Sequence, residues 1–166
     1  MNAKALLVLF SMAALSVEAA DPILPNPALT PGAVFTNVTV EQITQKGYAN
    51  RLNGGVRKVP ESEKKQIFNE YFGLVPTKPG LHYEVDHLIS LELGGSNDPK
   101  NLWPETYSGK WGAKTKDKLE NRMAKLVRNE LKNHGHDAAT ALLKQFQNEI
   151  STNWIVVYPK YISPTP

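Results

Sequence analysis

The sequence predicts an α+β domain, on three observations. A stretch that begins at Tyr83 as an apolar strand runs through an alternating segment, Leu88 to Leu93, into the turn Gly94-Gly95-Ser96-Asn97-Asp98-Pro99. It re-emerges at Asn101-Leu102-Trp103, a strand–turn–strand pattern. Behind it, Leu119, Met123, Leu126 and Val127 recur at helical spacing, as do Leu142, Leu143, Phe146 and Ile150. In front of it, Thr39-Val-Glu-Gln42 has the form of a capping box, the reciprocal bonding of a helix start.

The ends come first in chain order. Met1 to Ala20 reads as a secretory signal peptide, with Lys4 as the positive start, Ala5 to Leu15 as the apolar core and Val17-Glu18-Ala19 as the cleavage pattern. A membrane anchor is the competing reading, but the apolar run is about half of the ~20 residues a span needs. The mature protein is therefore expected to be exported, periplasmic or extracellular. Residues 21–36 hold Pro22, Pro25, Pro27 and Pro31, which predicts an extended, poorly packed lead-in.

One domain is expected over residues 37–160, with a frayed tail at 161–166, because 166 residues suffice for one core and not for two. A short helix opens at Thr39 and stops at Gly47. Val56-Arg57-Lys58-Val59-Pro60 is a loop leading into a strand. Pro60 and Ser62 open a second helix that buries Ile67, Phe68, Tyr71 and Phe72 and ends at Gly73. The long helix runs from about 110–115 to Lys132 and is stopped by Asn133-His134-Gly135, after which Asp137 caps a final helix. Trp154-Ile-Val-Val-Tyr158 is apolar enough to pack back as a strand or extended arm.

Composition narrows the chemistry. With no cysteine, disulfides and thiolate metal sites are excluded. A net charge of +3 allows a polyanionic partner without demanding one. The surplus is local: from Lys110 to Lys132 there are eight Lys/Arg (110, 114, 116, 118, 122, 125, 128, 132) against three acids (117, 120, 130). At about 100° per residue, Lys114, Lys118, Lys125 and Lys132 fall opposite the apolar side, as a solvated face, whereas Lys116 falls on the inward side. In the central stretch, Asp86-His87 and Asn101 bring a carboxylate, an imidazole and a carboxamide to one turn. That set suits a divalent cation with a base beside it. The plainer reading makes Asp86-His87 a surface pair and Asn97, Asp98 and Asn101 ordinary turn formers.

The order Asp86-His87, Gly94-Gly95-x-Asn97-Asp98, Asn101-Leu102 resembles the HNH endonucleases of the ββα-metal superfamily, and more closely a group of small exported HNH-type proteins. In that group a Gly-Tyr…Val-Arg-x-Val-Pro segment precedes the site and Lys-Asp-x-Leu-Glu-Asn follows it, here Gly47-Tyr48, Val56 to Pro60 and Lys116 to Asn121. The likeness covers roughly residues 40–158, and its specific motif lies within 84–105. It implies a ββα-metal motif at about 82–132 with flanking helices. It also implies hydrolysis of phosphodiester bonds in DNA, with RNA second. His87 is then the general base, Asp86 and Asn101 hold Mg²⁺ or Mn²⁺ in preference to Zn²⁺, and Asn101 is counted with the catalytic set. Lys116 and, behind it, Arg57 are the expected nucleic-acid contacts.

Two departures bear on these expectations. The second histidine of the family pattern is missing: Lys110 and Lys114 occupy its window, and His134 lies about 24 residues along the helix, too far to reach. Related proteins also carry cysteines near positions 44 and 128, where this chain has Thr44 and Arg128. The first departure keeps open a rival of another class, an exported nucleic-acid- or surface-binding module without a working site. A secreted effector with another target is a third reading that no residue supports. Finally, neighbours on a straight strand face opposite ways, so a site shared by Asp86 and His87 requires the chain to bend or bulge at His87.

Overall fold

The structure, a computed structural model, describes residues 24–51, 54–71, 82–107 and 109–162. The expected signal peptide, Phe72, Gly73 and most of the expected tail lie outside the described residues. The architecture is mixed helix and strand, as the sequence predicts. Strands β1 (Tyr83–His87) and β2 (Leu102–Thr106) pair antiparallel, with Asp86 opposite Trp103 and His87 opposite Leu102. Among the described residues four α-helices surround this hairpin: α1 (Val40–Ile43), α2 (Glu61–Tyr71), α3 (Ala113–His134) and α4 (His136–Tyr161). Helix α2 backs the hairpin, while α3 packs on α4 and on the 3-10 turn Leu91–Leu93.

Local sequence accounts for the helix ends. The capping box at Thr39 forms as expected, with Gln42 N–H donating to Thr39 Oγ1 and Thr39 N–H donating to Gln42 Oε1. Leu119, Met123 and Val127 are buried and hold α3 against α4, where Ala139, Leu143, Phe146 and Ile150 face them. Gly135, at φ 84°, ends α3 and also precedes α4. Asp137 is not the cap: it sits in the first turn of α4, where its charge favours the positive helix end without bonding to it.

Three further expectations are corrected. The segment Leu88 to Leu93 is not strand, because its last residues wind into the 3-10 turn Leu91–Leu93, with Ser90 Oγ accepting from Glu92 N–H at 3.1 Å. Trp154–Tyr158 is helical rather than extended. Asn153 breaks the helix (φ −170°, ψ 94°), and its Oδ1 accepts from the N–H groups of Ile155 and Val156, restarting the helix as an N-cap does. Trp154 then packs edge-on against Trp111 at 5.9 Å, and this burial outweighs the strand preference of Ile-Val-Val.

The third correction concerns the lead-in. Residues 24–36 strap the far side of the hairpin turn instead of trailing away. Thr30 is buried, takes a hydrogen bond from the Tyr71 hydroxyl and donates to Leu102 O at 2.9 Å. Gly32 N–H donates to Lys100 O, Phe35 N–H to Gly94 O, and Ala33 O accepts from Ser96 N–H. A buried turn leaves backbone groups without ladder partners, and this proline-rich segment supplies them.

Candidate functional site

The loop between the strands builds the site. Gly94 adopts φ 77°, the left-handed conformation that closes the 3-10 turn, and Gly95 lies so close to Ile89 O that a Cβ would sit 1.7 Å from it. The chain therefore doubles back, and Asn97 arrives beside the ring of His87.

Asn97 fixes the state of that ring. Its Nδ2 donates to Val56 O at 2.7 Å, so its Oδ1 faces the other way, accepting from Lys58 N–H at 3.3 Å and lying 3.1 Å from His87 Nε2. The only proton that can satisfy this last contact is on Nε2. His87 Nδ1 is then the bare, basic nitrogen, and it is buried without a hydrogen-bond partner among the described residues. Burial, partly opposed by Asn97 and Asp86, lowers the pKa of His87 from its ordinary value, which keeps the ring neutral near pH 7. An orphaned acceptor in a 2 % exposed ring costs roughly 1–3 kcal/mol. The orienting role of Asn97 is absent from the sequence expectation, which sees only a turn former. The signal was the Val-Arg-x-Val-Pro segment, whose first carbonyl is the anchor.

Asp86 faces a different neighbourhood. Its Oδ2 accepts from Lys116 Nζ at 2.9 Å, and the same ammonium donates to His87 O at 2.6 Å and to Glu120 Oε1 at 2.5 Å. Burial alone would raise the Asp86 pKa, but the Lys116 charge overcomes it and holds the carboxyl down at about 2. Glu105, fully buried on β2, is pushed up to about 10 by burial and by the charge of Asp86 beside it. Among the described residues neither of its oxygens has a hydrogen-bond partner, and the raised pKa keeps the carboxyl protonated at neutral pH. Glu120 is raised to about 7, again by burial first.

The sequence-predicted residues thus divide. Asp86, the His87 backbone and Lys116 come together, whereas the His87 ring belongs to the Asn97 side. No bulge brings Asp86 and His87 to one face. Pairing stays regular through His87, Leu88 N–H still donates to Asn101 O at 2.7 Å, and the chain bends only at Leu88–Ile89. Lys116 is inward, as its helical phase predicts, but it is 1 % exposed with all three protons engaged, which corrects its expected role as a phosphate contact. Asn101 is also reassigned. Its Oδ1 accepts from Ile89 N–H at 2.9 Å and its Nδ2 donates to Ile89 O and Ser96 O, both at 2.9 Å, so its fully buried carboxamide pins the turn. Arg57 is half-buried, donates from Nε to Ala49 O at 3.4 Å, and lines a cleft of about 240 Å³ with Arg51, Ser90, Asp117 and Glu120. Its charge reaches His87, where it disfavours the protonated ring.

The donors do not fit the divalent ion that the resemblance implies. Asp86 is on Lys116 and Asn101 is on backbone. Among the described residues, no group of three or more His, Asp or Glu side chains has a metal-holding arrangement. The lysine stripe is exposed, at Lys114, Lys118, Lys125 and Lys132. His134 and His136 are exposed too and pair with Glu130 and Glu41. Thr44 and Arg128 line one cleft. No protein-family model, curated protein or solved structure matches the chain.

Proposed function

We propose that this domain hydrolyses phosphodiester bonds of nucleic acid, DNA before RNA, outside the cytoplasm, with His87 Nδ1 as the general base. One observation carries the reading: a neutral imidazole whose tautomer is fixed by Asn97 and whose basic nitrogen has no other partner. A lowered pKa keeps that nitrogen unprotonated at neutral pH, and because it is buried it takes a proton from an attacking water only when the loop that covers it opens. Arg57, at the neighbouring cleft, is the cation best placed to meet a phosphate, and the exposed lysines of α3 add nonspecific attraction for a polyanion. The strand–strand–helix order of β1, β2 and α3 supports a ββα-metal reading of the fold. No step is assigned to Mg²⁺ or Mn²⁺, since the residues expected to hold the ion are engaged elsewhere.

A second reading, a nucleic-acid- or surface-binding module without catalysis, draws on the burial of His87, which is only 2 % exposed. Both are tested by incubating the chain with supercoiled plasmid and with RNA, in Mg²⁺, Mn²⁺ or EDTA, beside His87→Ala. The expected result is cleavage that falls about 10²–10⁴-fold in the variant. Equal cleavage by both proteins removes His87 as the base. If neither cleaves and both retard DNA on a gel, the binding module replaces the nuclease.

A further inference from the structure

We propose that the ammonium of Lys116 is the resident cation of the cluster formed by Asp86, Glu120 and the carbonyl of His87, held where the resemblance leads one to expect a divalent metal.

The coordination argues for it. An ammonium has three protons to donate, and Lys116 Nζ has three oxygen partners within 2.9 Å: Asp86 Oδ2, His87 O and Glu120 Oε1. Two carboxylates and a backbone carbonyl are the hard oxygens that Mg²⁺ and Mn²⁺ would otherwise take. Burial on its own would drive an amine to its neutral form. The carboxylates of Asp86 and Glu120, at 2.9 and 2.5 Å, offset that cost for the charged form. A divalent ion would compete with this ammonium for the same oxygens, Asp86 Oδ2, His87 O and Glu120 Oε1, and two cations on one cluster repel each other. Lysine and metal therefore exclude each other.

The lysine also has a mechanical role. Through His87 O it ties the end of β1 to α3, and this fixes the backbone that carries the His87 ring. A metal at this point would make the register of β1 depend on the ion; a lysine makes it permanent. The inference uses the resemblance only for where a metal is expected, and it does not require the domain to be a nuclease.

The test reads ion occupancy, not cleavage. In the wild-type chain, the thermal unfolding midpoint is expected to be the same in EDTA and in millimolar Mn²⁺. The Lys116 Nζ resonance in a ¹⁵N-labelled sample is expected to stay sharp through a Mn²⁺ titration. In Lys116→Met, which leaves the oxygens without a cation, Mn²⁺ electron paramagnetic resonance is expected to count one bound ion, and Mn²⁺ to raise the unfolding midpoint by several degrees. If Mn²⁺ stabilises the wild type and broadens the Lys116 signal, and Asp86→Asn abolishes both effects, the metal displaces the lysine and the proposal is overturned. A folded Lys116→Met that takes up no Mn²⁺ overturns it as well. Should that variant fail to fold, the wild-type titration decides alone. Loss of the nuclease reading, by contrast, would show only in the cleavage assay and would leave these readouts unchanged.

Discussion

Asp86 and His87 are successive residues, yet their side chains live in opposite chemical situations. Asp86 belongs to a closed set in which every proton of Lys116 has an acceptor. His87 is held on one side only, by Asn97, and keeps a basic nitrogen without a partner. The difference shows where a fold uses its polar groups up and where it leaves one buried and unpaired. A saturated ion cluster fixes geometry; an unsatisfied, oriented imidazole can do chemistry. The alternation of a regular strand creates this division, since it sends neighbours to opposite faces.

The comparison is broken most severely on the Asp86 side. Lys116→Met leaves the buried Glu120 and the partly buried Asp86 without their shared cation, and removal of one partner from a buried pair costs up to about 3–5 kcal/mol. Urea unfolding should show this loss, and Asp86→Asn with Glu120→Gln in the same chain should recover part of it. An unchanged midpoint would mean that the cluster is not what ties β1 to α3. Asn101→Ala follows, at about 3 kcal/mol, because Ile89 N–H, Ile89 O and Ser96 O lose their partners together.

Glu105→Gln sharpens the comparison in the other direction, by stabilising. The sign follows from the raised pKa: relative to an ordinary carboxyl at 4.5, a group at about 10 contributes stability that is full below pH 4.5 and is lost as pH climbs through 10. Glutamine keeps the shape and carries no proton to lose. The advantage of the variant over the wild type should therefore grow between pH 5 and pH 9, by at most about 1.4 kcal/mol per unit. Denaturation at pH 5, 7 and 9 measures it; a constant gap would mean that Glu105 ionises normally.

How much of this was legible in the sequence depends on the range of the interactions. Local signals were readable: the capping box at Thr39, the periodic face of α3, the Gly135 stop and the inward phase of Lys116. What escaped depends on partners far along the chain. Asn101 reads as a metal ligand in a motif, but Ile89 and Ser96 claim its carboxamide once the turn closes. The proline-rich lead-in looks unpacked until Thr30 meets Tyr71 and Leu102. Trp154–Tyr158 has strand-forming residues, and only Asn153 and the contact with Trp111 make it helical. Composition and spacing carry no record of such pairings.

The smallest predicted effect tests the His87 side most directly. Asn97→Ala removes the acceptor of the Nε2 proton and the tie to Val56 O while leaving the Lys116 cluster untouched. Freed from its orienter, the ring is free to place its proton on either nitrogen and to rotate, so cleavage should fall about ten-fold, a loss of roughly 1.4 kcal/mol. A second readout separates orientation from mere loosening. In the wild type, burial lowers the His87 pKa while the Asn97 bond opposes it, so the acid limb of the cleavage profile should lie below pH 6.5. Removing Asn97 takes away the opposing contribution, and the limb should move to still lower pH even as the plateau drops. A rate loss with an unmoved limb would assign Asn97 a structural role only. If neither rate nor limb changes, the tautomer is not set by Asn97, and the distinction between the engaged carboxylate and the available imidazole loses its basis.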